Sequence, residues 1–374
     1  GGTGGLWSAG RGGSLVIRPN AHIATAEPYA LTDLSVAEGK RLISLAQNES
    51  AVPPSPKALI AGRDALAQAG LYPDPDWTDL RAAVAEVHDV APDSILCGAG
   101  SMELIAAIAH CYLGPDRRAC STAYGYAFFQ TATRAVAARY DAVPEDNFTV
   151  SVDSLLSGLP DGTGVVFIAN PGNPTGTRIP KSELTRLRDG LHDDVLLVID
   201  EAYAEFADAN SASTFDLVAR GNTVVLRTFS KVYSLAGFRI GWGVFPPAIA
   251  NEMRKVLNPN NVSVTSQAMA AAAMRDQAYM RTVRRETVDL RDRFAEQMRG
   301  LGLTVPESHT NFVLLRFSDA ATAQRADRAL RAEGVLLRGM NGYGLPDCLR
   351  ATIGTATDMD FVADLLTSWR QGET

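Results

Sequence analysis

The sequence predicts an α/β protein: a large domain on a mainly parallel sheet, with a smaller α/β domain assembled from the two ends of the chain. Three observations carry this expectation. From about residue 94, short β-rich runs alternate with helical stretches. Three of those runs, GVVFIAN (164–170), VLLVID (195–200) and TVVLRT (223–228), are continuously apolar, as strands buried on both faces of a parallel sheet must be. After about residue 258 the texture changes to a long charged helical stretch, followed by a fresh β-rich run.

Taken in order, residues 1–13 (GGTGGLWSAGRGG) have glycines with no strand before them and no helical pattern after. They read as a flexible tail. That segment lacks an apolar core of signal-peptide length, and no later run approaches the roughly 18 apolar residues of a membrane span. The stretch AVPPSP (51–56) reads as a linker, so the expected division is 51–257 for the large domain and 14–50 plus 258–374 for the small one. Strand and helix then alternate through SILCG, MELIAAIAHCYL, RRACST and YAFFQTATRAV, and on through the three apolar runs. The charged stretch QAYMRTVRRETVDLRDRFAEQMRG ends at a glycine, as helices do. NFVLLRF, a helix over 320–333, the strand LRATIG (349–354) and a closing helix complete the small domain. In open α/β sheets ligands gather beyond the carboxyl ends of the strands, and polar or glycine-rich residues follow each apolar run at once.

Composition narrows the classes of function. The 374 residues are 46% hydrophobic and 21% charged, ordinary globular usage that argues against disorder or coiled coil. The net charge is -7 and the lysines and arginines are dispersed, which argues against a nucleic-acid partner. The four cysteines (97, 111, 120 and 348) fit neither a zinc pattern nor a disulfide framework. No metal is expected, and a reducing cytoplasm suits the chain.

Four segments could carry chemistry. In RTFSKVYSLAGFRIGW (227–242), Lys231 is a candidate nucleophilic amine, which must be neutral to react. Thr228, Ser230 and Arg239 around it could bind a phosphate. In GAGSMELIAAIAH (98–110) a glycine-rich turn opens a helix, where free N–H groups and the dipole attract a phosphate and Ser101 adds a hydroxyl. The third glycine of a dinucleotide fingerprint is absent, which disfavours a Rossmann dehydrogenase. In VLLVIDEAYAEF (195–206), Asp200 ends an apolar run and Tyr203 follows, so a buried carboxylate there needs a partner. In ANPGNPTG (169–176), Asn173 stands in a turn after a strand. Singly, each has a plain alternative: a solvated lysine, an N-cap turn, a capping aspartate, a proline–glycine turn.

Together and in this order, NPGNPTG, DEAY and TFSK followed by AGFRIG resemble the class I/II, fold type I aminotransferases that use pyridoxal 5′-phosphate (PLP). The resemblance spans about residues 20–370. It implies a PLP-dependent transferase fold and a Schiff base on Lys231. Asp200 would pair with the pyridinium nitrogen, and Asn173 and Tyr203 would bond the phenolic oxygen. Tyr124 would stack on the ring, and Gly100, Ser101 and Met102, with Thr228, Ser230 and Arg239, would hold the phosphate. Further segments are similar to the histidinol-phosphate aminotransferases: EPY with Tyr29, QNESAVPPSP (47–56), LYPDPDWTDLRAAVA (71–85) and LLRGMNGYGLPDCLRATIG (336–354). That likeness implies a homodimer in which Tyr72 reaches the neighbouring subunit's cofactor. It also implies an amino donor and a 2-oxo acid acceptor bound by Tyr29, Asn48, Arg338 and Arg350.

Two departures bear on the donor. Asn48, Glu49, Ser50 and Ala51 replace the usual NENP segment, and Met102 stands where an acidic residue commonly follows the phosphate-turn position. Relatives with the same motifs act on aromatic amino acids or decarboxylate phosphothreonine. A PLP-binding regulator would carry a DNA-binding domain or lack the lysine, and the sequence has neither feature.

Overall fold

The structure, a computed structural model, describes residues 17–29, 35–207 and 213–373. The tail expected at 1–13 lies outside the described residues. The first strand, β1 (Ile43–Ser44), is short. Seven more form the central sheet: β2 (Ile95–Gly98), β3 (Arg118–Thr122), β4 (Tyr140–Val143), β5 (Thr163–Ala169), β6 (Leu196–Asp200), β7 (Thr223–Thr228) and β8 (Gly241–Val244). Their order is β2-β8-β7-β6-β5-β3-β4, and only β8 runs antiparallel to its neighbours. Every residue of β5, β6 and β7 is buried, as their unbroken apolar runs require.

Two of these strands carry weak sequence signals. β4 reads YDAV on an edge, and β8 reads GWGV, whose glycines hide a strand that burial and pairing nonetheless impose. The glycines of β8 matter for the site. A Cβ at Gly241 would collide with the backbone amide of Ser101, so the bare residue lets the phosphate-type turn press against the sheet.

Four further strands build the small layer: β9 (Phe312–Arg316), β10 (Val335–Leu336), β11 (Arg338–Met340) and β12 (Leu345–Thr352). β11, β12 and β9 form an antiparallel sheet in that order, and β1 pairs in parallel with β10, joining the two ends of the chain. The small core gathers Ile43, Leu45, Phe294, Met298, Val313, Leu315 and Val362.

The boundary differs from the expected 258. Helix Val264–Arg275 buries Met269, Ala270, Ala271, Ala273 and Met274 in the large core, beside helices Pro56–Ala65 and Thr78–His88. The long helix Gln277–Gly300 then bridges the two cores, with Val283 in the large one and Phe294 in the small one. The charged texture marks an exposed helix face, whereas the division follows the apolar face, which changes partner partway along. No helix among the described residues is long and apolar enough to cross a membrane.

Candidate active site

A cavity of about 310 Å³ opens where β5, β6 and β7 end, with Ala169, Asp200 and Thr228 on its wall. This is the crevice that parallel topology predicts. The small domain contributes Arg338 and Arg350 from the opposite side, and the connector around Gln47–Glu49 runs between.

Lys231 follows β7 in a turn that Thr228 folds by accepting the Ser230 N–H (3.0 Å). Its Nζ donates to the Asn48 carbonyl (3.1 Å) and stands 5.6 Å from the centre of the Tyr203 ring. Burial, helped by the Arg350 and Arg239 guanidiniums, pulls its amine down to about 8. A useful fraction is therefore neutral near physiological pH. Arg239 takes a left-handed backbone conformation (φ 52°), and its guanidinium donates to the Ala236 carbonyl (3.0 Å) and reaches the Ser230 hydroxyl (3.5 Å).

Ser101 opens the twelve-residue helix Ser101–Tyr112, and Met102 follows it on the cavity wall. Gly100 precedes them with φ 82°, and a Cβ there would come within 2.5 Å of the Arg239 guanidinium. Glycine is thus needed twice over, for its conformation and for the approach. Free N–H groups at the helix start, the Ser101 and Ser230 hydroxyls and Arg239 converge as an anion cradle.

Asp200 ends β6 almost fully buried, and the backbone N–H of Ala202 is the one donor it meets among the described residues (3.2 Å). Burial, seconded by Glu201, pushes its carboxyl up to about 7. Glu201 faces the other way, into a buried cluster with Arg227 (2.8 Å) and the Thr214 hydroxyl. Tyr203 accepts a bond from the Asn48 amide (2.8 Å), and burial raises its phenol well above the usual range.

Asn173 accepts from Arg350 (2.6 Å), whose second terminal nitrogen donates to the Ala46 carbonyl (2.9 Å). Arg350 Nε is buried with no partner among the described residues. Arg338 stands opposite Arg350 in the β11–β12 register, so both arginines serve one face of the small sheet. Tyr29 completes that wall.

Two expected residues lie elsewhere. Tyr124 is not on the wall; it packs against Phe148 (5.8 Å between ring centres) beside the cluster of Leu314, Met340 and Cys348. Tyr126 takes the wall position, because the turn after β3 carries residue 124 outward and brings residue 126 inward just before helix Ala127–Ala135. Of the two tyrosines in this motif, Tyr126 lines the cavity and Tyr124 does not. Tyr72, expected to serve the neighbouring subunit, is 87% exposed and outside this chain's own cavity. Gln47, Glu49 and Tyr343 also line the cavity. Tyr343 had a signal in the GYG of residues 342–344, where a lone aromatic between glycines suits a turn with a functional ring.

The donor set fits PLP. A buried carboxylate with spare acceptor capacity calls for a cation such as a pyridinium, the cradle suits a phosphate, and a depressed lysine suits an aldehyde.

Comparisons with known proteins agree. The profile of the family "Aminotransferase class I and II" matches residues 40–366. The chain is 42% identical to a histidinol-phosphate aminotransferase of Rhodospirillum centenum, over 95% of this chain and 99% of that one. It is 40% identical to one from a Jannaschia species, over 94% and 98%. Among solved structures, the histidinol-phosphate aminotransferase of Sinorhizobium meliloti in complex with pyridoxal-5′-phosphate is 27% identical. It superposes with a TM-score of 0.87, covering 96% of this chain and all of that one. An aspartate aminotransferase mutant of Thermus thermophilus, 20% identical with a TM-score of 0.82 over 94% of this chain, shares the fold. With its lysine, aspartate and anion cradle at the ends of parallel strands, the chain belongs to the class I and II aminotransferases, enzymes that work with PLP.

Proposed function

We propose that this enzyme transfers the amino group of histidinol phosphate to 2-oxoglutarate. The observation that carries the reading is the pairing of two anion sites across one cavity. Arg239 with Ser101 and Ser230 lies on the cofactor side, and Arg338 with Arg350 lies on the substrate side. A phosphorylated donor and a dicarboxylate acceptor both need the second site, and the near full-length relatives at 40–42% identity carry that substrate in their name.

When bound, PLP supplies an electron sink for the carbanion formed at the donor's Cα. Ser101, in the turn with Gly100 and Met102, would hold its phosphate together with Thr228, Ser230 and Arg239 from the segment after β7. Asp200 would pair with the ring nitrogen, Asn173 and Tyr203 would donate to the phenolic oxygen, Tyr126 on the cavity wall would supply an aromatic neighbour for the ring, and Lys231 would hold the aldehyde carbon. Lys231, with its depressed basicity, moves the proton at the donor's Cα. Arg350 fixes the carboxylate of the acceptor, and Arg338 with Tyr29 fixes the donor's phosphate. Donor and acceptor can share these arginines because ping-pong chemistry brings them in at different times. Asn48 shapes the substrate side of the cavity.

The stretch from 56 to 72 exposes Leu59, Ile60, Leu66, Leu71 and Tyr72, an apolar strip that supports a homodimer with Tyr72 completing the neighbour's cofactor site. The four free cysteines support a reducing, cytoplasmic setting. The deciding measurement is a half-reaction screen of the PLP form against histidinol phosphate, phenylalanine, tyrosine and phosphothreonine. Saturable conversion of histidinol phosphate with 2-oxoglutarate as acceptor is expected. Turnover of an unphosphorylated aromatic donor alone, or release of carbon dioxide from phosphothreonine, would overturn the reading.

A further inference from the structure

Thr352, near the end of β12, lies outside the wall of the cavity but reaches it through a buried chain of hydrogen bonds. Its hydroxyl accepts the backbone N–H of Asn48 (2.9 Å) and donates to Asn48 Oδ1 (3.1 Å); Asn48 Nδ2 then donates to the Tyr203 hydroxyl (2.8 Å). Thr352, Asn48 and Tyr203 are each at most 4% exposed, so no solvent competes. The direction of the chain follows from counting donors. Among the described residues Asn48 Oδ1 is the one acceptor that the Thr352 hydroxyl proton meets. Turning the Asn48 amide over would leave that proton buried without an acceptor, a costly arrangement. The amide therefore presents its NH₂ to Tyr203, whose oxygen must accept. The proton of Tyr203 is then free to be given to the cavity.

Two residues earlier on β12, and hence on the same face, Arg350 does the same to Asn173. By donating to Asn173 Oδ1 it leaves the Asn173 NH₂ as a donor. We propose that Thr352 is a positioning residue: from the small domain, through Asn48, it fixes the Tyr203 hydroxyl as a donor into the cofactor cavity. Asn311 donates to the Asn48 carbonyl (3.1 Å), an anchor for this connector that does not depend on Lys231 once that residue carries the cofactor. The small domain thus orients a group that belongs to the large one.

The inference rests on the assignment of Tyr203 to the cofactor's phenolic oxygen, and the experiment separates the two. The holoenzyme is titrated through the pH-dependent change of the cofactor's visible absorption, and melting of the cofactor-free protein is followed alongside. Tyr203→Phe alone tests the assignment: loss of a donor to the phenolic oxygen raises the titration midpoint, and an unchanged midpoint overturns assignment and relay together. Given that shift, Thr352→Val, which keeps the shape and removes the hydroxyl, should raise the midpoint by about one pH unit, a tenfold change in proton affinity. Thr352→Ser should restore it, and in the Tyr203→Phe background Thr352→Val should add nothing. A lowered melting temperature with an unmoved midpoint, or a shift that persists without the Tyr203 hydroxyl, would refute the relay while leaving the Tyr203 assignment intact. If Thr352→Val fails to fold, Asn48→Asp serves instead. An ionised carboxylate there can only accept, so Tyr203 must turn its proton away from the cavity, and the midpoint must rise by more than the same substitution raises it in the Tyr203→Phe background, where only the added charge acts; no such excess overturns the proposal.

Discussion

The two walls of the cavity are built differently. On the large-domain side, Asn173, Asp200 and Lys231 follow parallel strands whose every residue is buried, and the Gly100–Met102 turn follows β2 at the sheet edge. On the other side Arg338 and Arg350 stand on an antiparallel sheet of three strands, with the connector at 47–49 lying between. The first wall carries groups tuned by burial: a carboxyl raised to about 7 beside an amine lowered to about 8. The second carries permanent cations suited to anions that come and go. On the proposed reading one wall serves the cofactor and the other the choice of substrate, and the contrast can be broken from either side.

The largest effect belongs to Lys231. Lys231→Ala should remove the visible absorption of covalently held cofactor and cost transamination at least about 10³-fold, as expected when a nucleophile and a proton-transfer group are lost together. The loss should be equal for every donor. A loss confined to one donor would place Lys231 on the substrate side and dissolve the contrast.

Asp200 gives a sharper probe, because its wall is tuned by burial. Without cofactor its folded-state pKa, about 7, lies above its unfolded value near 3.8, so the folded chain binds more protons than the unfolded one between these limits. The stability it contributes is present below about pH 4 and is lost as pH rises through 7. Cofactor-free Asp200→Asn, neutral in both states, should not share this loss and should melt higher than the unsubstituted protein at pH 8. The same variant with PLP should lose activity by about 10²-fold or more, since removing one partner of a buried ion pair is strongly destabilising. Melting curves of the cofactor-free proteins from pH 4 to 8 provide the check, and parallel slopes would contradict it.

Arg338 tests the second wall. Arg338→Ala should lower kcat/KM for histidinol phosphate by about 30–100-fold, the worth of a charge-assisted hydrogen bond, and leave phenylalanine within a few-fold. Steady-state kinetics with both donors decides it, and equal losses would mean that the arginine supports the fold.

Most of the first wall was legible in the sequence because each of its groups follows an unbroken apolar run. A buried strand end fixes the place of the next residue: Asp200 closes VLLVID, Thr228 closes TVVLRT, and Lys231 lies three residues on. What the sequence concealed depends on contacts between distant segments. The domain division was expected at 258, yet helix Val264–Arg275 is an alanine and methionine face packed on the large core, which a charge pattern does not reveal. Asn48 could be named as a site residue, but its bond to Thr352, 304 residues away, has no local signature.

The smallest effect concerns Tyr124 and Tyr126, which share one short motif. Local sequence offers two tyrosines around a glycine, and the choice is made by which way the turn after β3 faces. Tyr124 fills a pocket beside Phe148, whereas Tyr126 reaches the cavity. A ring stacked on the cofactor contributes about 0.5–1.5 kcal/mol beyond its buried area, equivalent to roughly two- to tenfold in affinity. Tyr126→Leu should weaken PLP binding within that range and also lower the melting temperature of the cofactor-free protein, through its lost contacts with Phe128 and Phe129. Tyr124→Leu should lower the melting temperature through the lost contact with Phe148 while cofactor affinity holds. Fluorescence titration with PLP and thermal melts of both variants separate the two roles. Weaker PLP binding in Tyr124→Leu, with affinity retained in Tyr126→Leu, would return the aromatic wall to residue 124.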